Sequence, residues 1–417
     1  MGVEKEAKDL RASSKNNGCG ARAVKLMLNN LTEVCPDARS RTTQAKREHR
    51  KVGDLKGEAH PLVSVIIVTY NNEEVIGRCL SSVLENNYPN YEVIVVDNAS
   101  KDGTLKVVEE TMSNYNALNV KIVKNPKNYG ISKGSNIGVS HSNGKYIAFL
   151  DSDAFPDANW LFQPVELMER DPSIGAVQAK CLRAKSPSDR LKLIDTAGGL
   201  MDLGLQTYAR GSGEEDKGQY DEVDEIFYAV HTGAIVRRKA FLEVGGFDEA
   251  FLLGYHDVDL GWRLWKRGYR VLFAPNSVVH HMRRGSTGKL KWRWWRNYHG
   301  ERSYLMVIVK NAERTALLRR LLLYGLKALL EAAGVFSSRR EVAASRLLAL
   351  WWVLRKLKLI WLRRTISCAR HSTKSERGIL MKCSIDMLKR SRGKTLWKHK
   401  LWYKPLNSAI LEGLQRA

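Results

Sequence analysis

Two apolar segments about thirty residues apart constrain the fold more than any other feature of this chain. The first reads PLVSVIIVTYNN (residues 61–72) and the second reads YEVIVVDNAS (residues 91–100). Both are rich in β-branched residues and end in turn-forming residues, so both predict buried strands. The segment between them, EEVIGRCLSSVLENN, has apolar residues at helical spacing. The sequence therefore predicts a strand–helix–strand unit, which favours a parallel sheet.

The same alternation continues along the chain. A helix is predicted over residues 103–114, then the strand NVKIVKN, the helix GSNIGVSHS and the strand KYIAFLD. This order predicts an α/β fold with a mostly parallel sheet and helices on both faces. Residues 227–281 then predict a strand, a helix, a Gly-rich turn, a helix and a strand. We expect these elements to pack on the first sheet and to cover the edge where it would bind its ligand.

Polar residues follow the predicted parallel strands, where such sheets bind their ligands. They are Thr69, Tyr70, Asn71, Asp97, Asn98, Asp151 and Asp153. Because alternate side chains of a strand point the same way, Asp151 and Asp153 could both reach one hard cation, or the ribose hydroxyls beside it. Mg²⁺ and Mn²⁺ keep phosphate as a partner, so the pair suits a nucleoside diphosphate. The alternative is a polar turn at the end of a strand.

The net charge of +24 is unevenly distributed. Residues 281–417 carry 32 Lys and Arg against 7 Asp and Glu, whereas residues 61–280 carry 23 against 29. The chain therefore divides into a polar N-terminal leader (1–59), predicted to be disordered, a central α/β domain (60–286) and a basic, Trp-rich helical C-terminal region (287–417).

Six blocks of this sequence resemble inverting glycosyltransferase family 2, particularly its rhamnosyltransferase-like branch. In chain order they are VSVIIVTYNNEEVIGRCLSSVLEN, VIVVDNASKDGT, NPKNYGISKGSNIGV, YIAFLDSDA, TGAIVRRKAFLEVGGFDEAF and HDVDLGWRLWKRGY. The resemblance covers about residues 61–285. It implies the type A glycosyltransferase fold, in which a Rossmann-like, mostly parallel sheet is flanked by helices.

The resemblance also implies the nucleotide-binding residues. The turn of Thr69, Tyr70 and Asn71 would cradle the nucleotide, with Tyr70 against the base, and Asp97 would accept a hydrogen bond from a pyrimidine edge. A UDP- or dTDP-sugar is therefore the expected donor. The alternative for Tyr70 is simple packing at a strand end.

The block NYGISKGSN adds Asn128, Gly130 and Lys133 to the expected nucleotide-sugar site. Its glycines mark a place where the backbone approaches a phosphate or another strand. Lys133 either neutralises the diphosphate or is a solvated loop cation. The residues alone do not decide between the two readings.

The block GYHDVDLGWR bears on catalysis. An inverting transferase needs a base that takes the proton of the acceptor hydroxyl. The family supplies it from a Glu–Asp pair, which aligns with His256 and Asp257, so Asp257 is the expected base. Asp259 would cap or orient, and His256 replaces an acid that contacts acceptor hydroxyls. The alternative for Asp257 is a helix N-cap.

Two histidines end the strand YRVLFAPNSVVHH. Relatives place a histidine here that completes the metal site, so His280 or His281 would be the third ligand of Mg²⁺ or Mn²⁺. His281 is preferred because the turn RRGSTG follows closely. The alternative is a hydrogen-bonded packing role.

The C-terminal region interleaves Trp and Leu with Lys and Arg at helical spacing. Such basic amphipathic helices favour an anionic membrane surface. Nucleic acid is not expected, because no RNA-binding motif is visible, and an ordinary helical core with a basic face is a further alternative. The polar N-terminus, the lack of a long uncharged apolar run and six cysteines without a CxxC pair predict a cytoplasmic protein, peripheral at the inner face of the cell membrane.

Together these features predict a metal-dependent inverting glycosyltransferase of the hexosyl type, with rhamnosyl transfer as one possibility. It would move a sugar from a nucleoside-diphosphate donor to a lipid-linked or cell-surface glycan acceptor. The rival hypothesis is a non-catalytic module that binds sugar nucleotides or polyanions on a degenerate transferase fold. The presence of Asp151, Asp153 and Asp257 favours the enzyme.

Overall fold

A ten-stranded sheet forms the centre of the protein. The structure is a computed structural model that describes residues 60–186, 188–283, 293–333, 340–360, 378–380 and 382–383. The strands are β1 (Val63–Thr69), β2 (Tyr91–Asp97), β3 (Val120–Lys124), β4 (Tyr146–Asp151), β5 (Ala154–Pro156), β6 (Ile174–Ala184), β7 (Arg190–Thr196), β8 (Gly199–Met201), β9 (Thr207–Ala209), β10 (Asp224–Glu225), β11 (Ala234–Arg237) and β12 (Arg270–His281). The strand order is β10-β12-β6-β11-β4-β1-β2-β3, with β5 added beside β12 and β7 beside β6.

Helices connect the strands and cover both faces of the sheet. Among the described residues they are α1 (Ile76–Leu84), α2 (Thr104–Asn114), α3 (Gly130–Ser140), α4 (Phe162–Arg170), α5 (Arg238–Glu243), α6 (His256–Lys266), α7 (Arg293–Asn311), α8 (Arg314–Ala332) and α9 (Arg340–Arg355). The elements predicted over residues 61–151 and 227–281 are confirmed in type and order.

The parallel half of the sheet runs β3-β2-β1-β4. Alternate side chains of β1 enter different cores: Ile66 and Val68 belong to one apolar layer, whereas Val65 and Ile67 belong to the other. Strand periodicity explains this division, because successive side chains point to opposite faces. Both faces are covered by helices, as expected for a parallel sheet.

Two glycines of α3 allow this helix to lie close to β1. A Cβ atom added at Gly138 would stand 2.5 Å from Cγ2 of Ile66, and one added at Gly134 would stand 2.8 Å from Cγ1 of Val68. For the glycines of the block NYGISKGSN, the sequence left open approach to a phosphate or to another strand. Approach to a strand applies to Gly134, and also to Gly138 just beyond the block.

The second half of the sheet is mixed. Strand β11 is antiparallel to both β4 and β6. Strand β12 is parallel to β6 and antiparallel to β5, with His281 opposite Ala154. The late strand β12 is thereby brought next to the turn that follows β4.

The first described helix of the C-terminal region, α7, packs against the main apolar core. Leu305, Val307, Ile308 and Val309 of α7 are fully buried and belong to the main apolar core. One face of this basic region is therefore apolar and packs on the core, while the predicted boundary at 286/287 lies outside the described residues and stays a prediction. The predicted leader (1–59) and the segment around Trp361 lie outside the described residues. Within the part of the chain that the structure describes, no helix combines the length and apolarity needed to cross a bilayer.

Candidate active site

Three neighbouring parallel strands end in residues predicted for the site. Thr69 at the end of β1 is in register with Asp97 at the end of β2. On the other side, Val68 of β1 is in register with Asp151, the last residue of β4. The carboxyl ends of these strands therefore form one edge, as predicted, and Thr69 and Asp97 are almost fully buried there.

Asp151, Asp153 and His281 form one cluster, with a ligand atom from each lying within 4.8 Å of the others. Nε2 of His281 is 3.4 Å from Oδ1 of Asp153 and 3.8 Å from Oδ2 of Asp151. Asp153 lies in the turn between β4 and β5, not on a continued strand. The sequence analysis expected the alternation of side chains along one strand to bring Asp151 and Asp153 together. In the structure, the turn after β4 and the β5–β12 pairing bring these two residues and His281 together.

The chemistry of the cluster fits a divalent cation. Two carboxylates and an imidazole are donors that Mn²⁺ and Mg²⁺ accept. Burial opposes protonation of His281, but hydrogen bonds to Asp153 and Asp195 outweigh it and raise the pKa of the imidazole to about 10. The site therefore strongly favours a positive charge, as a cation site must.

Asp195 is a residue that sequence reasoning missed. Its Oδ2 lies 2.9 Å from Nδ1 of His281, and its Oδ1 lies 2.8 Å from Nε of Arg283. A carboxylate on the far nitrogen of a ligating imidazole fixes the orientation of the ring. Asp195 is the penultimate residue of β7, in a segment with no motif. Strand β6 pairs with both β7 and β12, and these two pairings place Asp195 beside His281.

His231 and Thr232 hold the first carboxylate and were also missed. Nδ1 of His231 lies 2.9 Å from Oδ1 of Asp151, and the Thr232 hydroxyl donates to Oδ2. The other ring nitrogen of His231 lies 3.0 Å from Oγ of Ser135 on α3. Burial raises the pKa of Asp151, but the hydrogen bond and charge of His231 outweigh it, and the pKa lies well below the usual range. His231 and Thr232 lie just before β11, so the start of that predicted strand was the sequence feature that could have identified them.

His280 and His281 point to opposite sides of β12. His280 places Nε2 3.3 Å from Oδ1 of Asp157, away from the cluster that His281 joins. Successive side chains of a strand alternate in direction, which explains why only one of the two reaches the carboxylates. The preference for His281 over His280 is consistent with this geometry.

The expected nucleotide turn is tied to the end of β2. Asn71 has a left-handed backbone (φ 53°), and its backbone N–H donates to Oγ of Ser100 at 3.0 Å. The Lys101 amide returns a hydrogen bond to Oδ1 of Asn71 at 2.8 Å. Asp97 accepts from the Ser100 amide at 3.2 Å. The two loops thus form one hydrogen-bonded rim, beside which Tyr70 is half-buried. The base contacts assigned to Tyr70 and Asp97 stay predictions.

The block around α3 begins with a turn closed by Asn128. Its Oδ1 accepts from the Gly130 amide at 2.8 Å, and Gly130 has a left-handed backbone (φ +77°). Asn98, at the end of β2, donates to the Gly130 carbonyl at 3.2 Å. Lys133 pairs with Glu249 at 3.3 Å and lies 4.7 Å from the centre of the Tyr129 ring. It therefore already has an anionic partner, and a diphosphate contact stays a prediction.

Helix α6 starts beside the carboxylate cluster. Its N-cap residue, Tyr255, has a left-handed backbone (φ 63°). His256 is buried, and its ring lies 5.3 Å from that of His231, which holds Asp151. Burial lowers the pKa of His256 to about 4, and neither ring nitrogen has a hydrogen-bond partner among the described residues. Asp257 is half-buried in the first turn, where a carboxylate suits the helix dipole.

The Asp259 side chain does not point towards the cluster of Asp151, Asp153 and His281, which corrects the orienting role expected for it. Its side chain is fully buried and accepts from Arg263 at 2.8 Å, from Lys310 at 2.9 Å and from Asn311 at 2.7 Å. It also does not cap the helix, whose N-cap residue is Tyr255. The carboxylate instead joins α6 to α7. Helix periodicity explains the difference, since residues two apart point to different sides of a helix.

Comparisons with known proteins agree with this geometry. Residues 64–245 match the model of glycosyl transferase family 2, and residues 193–324 match that of glycosyltransferase like family 2. Glycosyltransferase AglE of Haloferax volcanii is 28% identical over 232 residues, which cover 53% of this chain and 67% of that protein.

A second relative is dolichyl N-acetyl-alpha-D-glucosaminyl phosphate 3-beta-D-2,3-diacetamido-2,3-dideoxy-beta-D-glucuronosyltransferase of Methanococcus voltae. It is 25% identical over 234 residues, which cover 54% of this chain and 68% of that protein. Neither name bears on the rhamnosyltransferase-like branch, which stays a prediction.

Among solved structures, GalNAc-T7 with UDP, GalNAc and Mn²⁺ aligns with a TM-score of 0.52 at 18% identity, covering 74% of this chain and 60% of that one. This likeness confirms the expected type A glycosyltransferase fold. The six sequence blocks, the sheet with its carboxylate edge and the family match lead to one conclusion: residues 64–245 of this chain form a glycosyl transferase family 2 domain.

Proposed function

We propose that this protein is a metal-dependent inverting glycosyltransferase that uses a nucleoside-diphosphate sugar. The observation that carries the proposal is the convergence of Asp151, Asp153 and His281 at the carboxyl edge of the sheet. Bound there, Mn²⁺ or Mg²⁺ would stabilise the negative charge of the departing diphosphate. The rim of Thr69, Asn71 and Asp97 lies at the same edge and would hold the nucleoside of a UDP- or dTDP-sugar.

Asp257 is the base of the proposed reaction. It lies next to His256, which contacts His231 and through it Asp151, so the first turn of α6 borders the metal cluster. Inversion requires attack on the sugar C1 from the face opposite the diphosphate. Asp257 would take the proton of the attacking acceptor hydroxyl as the new bond forms. One ring nitrogen of His256 would hydrogen-bond to an acceptor hydroxyl.

The proposed acceptor is a lipid-linked or cell-surface glycan at the cytoplasmic membrane face. Two observations support it. The relative from Methanococcus voltae is named for a dolichyl-linked sugar phosphate. Residues 281–417 of this chain carry 32 Lys and Arg against 7 Asp and Glu, which favours an anionic surface. The sugar is a hexose in this proposal, with rhamnose as the test case.

The test is an assay of nucleotide release with the purified full-length chain. Mn²⁺ or Mg²⁺ is combined with a panel of UDP-, dTDP- and GDP-sugars, with and without a polyprenyl-phosphate-linked sugar acceptor. We expect release of a nucleoside diphosphate that needs the metal and increases with the acceptor. Asp153→Asn should abolish it. The matched control is Asp157→Asn, because Asp157 pairs with His280 and Arg190 outside the cluster.

Two results would contradict the proposal. Turnover that survives both a chelator and Asp153→Asn would show that no metal is used at this cluster. Tight donor binding without turnover of any nucleotide sugar would favour the non-catalytic binding module instead.

A further inference from the structure

Helices α8 and α9 carry an apolar surface that faces away from the body of the protein. We call it the outer leucine surface and define it by Leu318, Leu322, Leu329, Leu348, Trp351 and Leu354. These side chains are between 43% and 73% exposed. On α8 they recur at spacings of four and seven residues, so they share one side of the helix.

Both helices lie on α7 through their opposite sides. On α8, Arg320 donates to the Tyr304 hydroxyl at 2.6 Å and Tyr324 donates to Glu301 at 2.9 Å. On α9, Arg346 donates to the same Glu301 at 2.9 Å. Because each helix uses one side to contact α7, the exposed leucines of both helices belong to a single outer layer.

The two helices also pack against each other, which makes this layer continuous. Arg346 of α9 pairs with Glu331 of α8, and a Cβ atom added at Gly325 would lie 3.7 Å from Leu350. Exposed leucines on both partners therefore lie side by side instead of forming two separate stripes.

The charges around the outer leucine surface have one sign. In residues 314–333 and 342–360, every charged residue that is also exposed is a cation: Arg314, Arg319, Arg355, Lys356 and Lys358. Glu331, by contrast, is buried against Arg346. An apolar helix face flanked by cations fits the boundary between anionic headgroups and acyl chains. A second copy of this chain fits less well, because it would bring the same cations together.

We propose that the outer leucine surface lies flat on an anionic lipid bilayer and holds the enzyme at its acceptor. The leucines and Trp351 enter the acyl boundary, while the five cations contact the headgroups. This inference rests on the proposed membrane-linked acceptor, but it assigns the contact to specific residues. It also explains why α8 and α9 keep apolar side chains exposed.

The experiment measures binding of the full-length chain to vesicles by co-sedimentation. The vesicles contain phosphatidylcholine with or without phosphatidylglycerol. We expect binding that requires phosphatidylglycerol and weakens at high salt. Leu322→Glu and Leu354→Glu, singly and together, should each reduce vesicle affinity by about tenfold or more. In each variant a carboxylate replaces an apolar side chain that the bilayer would bury, and it also lies beside anionic lipid.

The matched control is Leu118→Glu, a fully exposed leucine in the turn before β3, which should bind vesicles like the unchanged chain. Circular dichroism and thermal melting check that each variant is folded, as expected for exposed positions. Nucleotide release with a soluble acceptor should be the same in all four variants.

Three outcomes would overturn the inference: equal binding by the Leu322→Glu and Leu354→Glu variants, equal binding to vesicles without phosphatidylglycerol, or a loss of self-association in those variants that places a second copy on this surface. Failure of the proposed function would look different. Vesicle binding would then depend on the leucines as expected, while no nucleotide sugar would be turned over.

Discussion

Asp195 accepts a hydrogen bond from His281: its Oδ2 lies 2.9 Å from Nδ1 of the ring. This contact leaves Nε2 of His281 directed at Asp153, 3.4 Å away. The nitrogen that His281 offers to the proposed metal is therefore selected by a carboxylate that is itself almost fully buried. Burial raises the pKa of Asp195, but the hydrogen bond and charge of His281 outweigh it, and Arg283 and Arg183 near the other oxygen lower the pKa further.

We predict that Asp195→Asn weakens Mn²⁺ binding by roughly 10- to 100-fold. The amide can present an NH₂ group to Nδ1 and so favour the wrong ring tautomer. Titration calorimetry with MnCl₂ in the absence of donor measures the effect directly. Asp189→Asn is the control, since this exposed carboxylate pairs only loosely with Lys185, at 3.8 Å. Equal Mn²⁺ affinity in the Asp195 variant would show that the ring is oriented by other contacts.

Asp257→Asn should lower kcat by roughly 10²- to 10⁴-fold while the donor affinity stays constant. The amide keeps the size of the side chain but cannot take the proton of the acceptor hydroxyl. Steady-state kinetics with the best donor from the panel, together with donor binding by calorimetry, separate the two effects. A variant within threefold of the unchanged enzyme would move the base to another group.

Asp259→Asn should lower the stability of the fold, although Asp259 is only two residues from Asp257. Its loss of charge removes the carboxylate that the buried Arg263 and Lys310 share, although Lys310 keeps a second partner, Asp248, at 2.9 Å. Breaking a buried ion pair in this way costs about 3 kcal/mol of unfolding free energy. Urea unfolding of the Asp257 and Asp259 variants makes a matched comparison. If the Asp259 variant were as stable as the unchanged protein, the network between α6 and α7 would not hold them together.

His256 should make the protein sensitive to mild acid. Burial lowers its pKa from 6.5 to about 4 in the folded state. The unfolded chain then binds the proton first, so this contribution to stability is complete above pH 6.5 and is lost as the pH falls toward 4. At pH 5 the loss from this one group is about 2 kcal/mol.

The measurement compares urea unfolding at pH 7 and pH 5 for the unchanged protein and for His256→Phe. The phenyl ring does not titrate and suits the neighbouring ring of Phe247, whose centre is 5.1 Å away. We expect the stability difference between the two pH values to shrink by about 2 kcal/mol in the variant. An unchanged difference would show that His256 is already accessible to protons in the fold.

The local pattern of the chain predicted the parallel half of the sheet, and with it one edge of the site. Thr69, Asp97 and Asp151 each follow an apolar strand, and parallel strands bring their carboxyl ends together. No long-range information was needed for this step. The periodicity of strands and helices is a property of neighbouring residues, so a single sequence carries it.

The rest of the site depends on pairings between segments far apart in the chain. His281 reaches Asp153 because β12 pairs with β5, and His231 reaches Asp151 because β11 pairs with β4. Asp195 reaches His281 across the β6–β7 hairpin. Sequence spacing does not encode such contacts, since strand partners are selected by the packing of the whole sheet.

The order of strands and helices, the carboxylates that line the edge and the likeness to glycosyl transferase family 2 could thus be predicted from the sequence pattern. Tertiary packing was needed to show that His281, not His280, joins these carboxylates, that Asp259 links α6 to α7, and that α7 is part of the core. One cause underlies all three findings. Charge and residue type are local, whereas the direction of a side chain and its burial depend on which distant element packs against it.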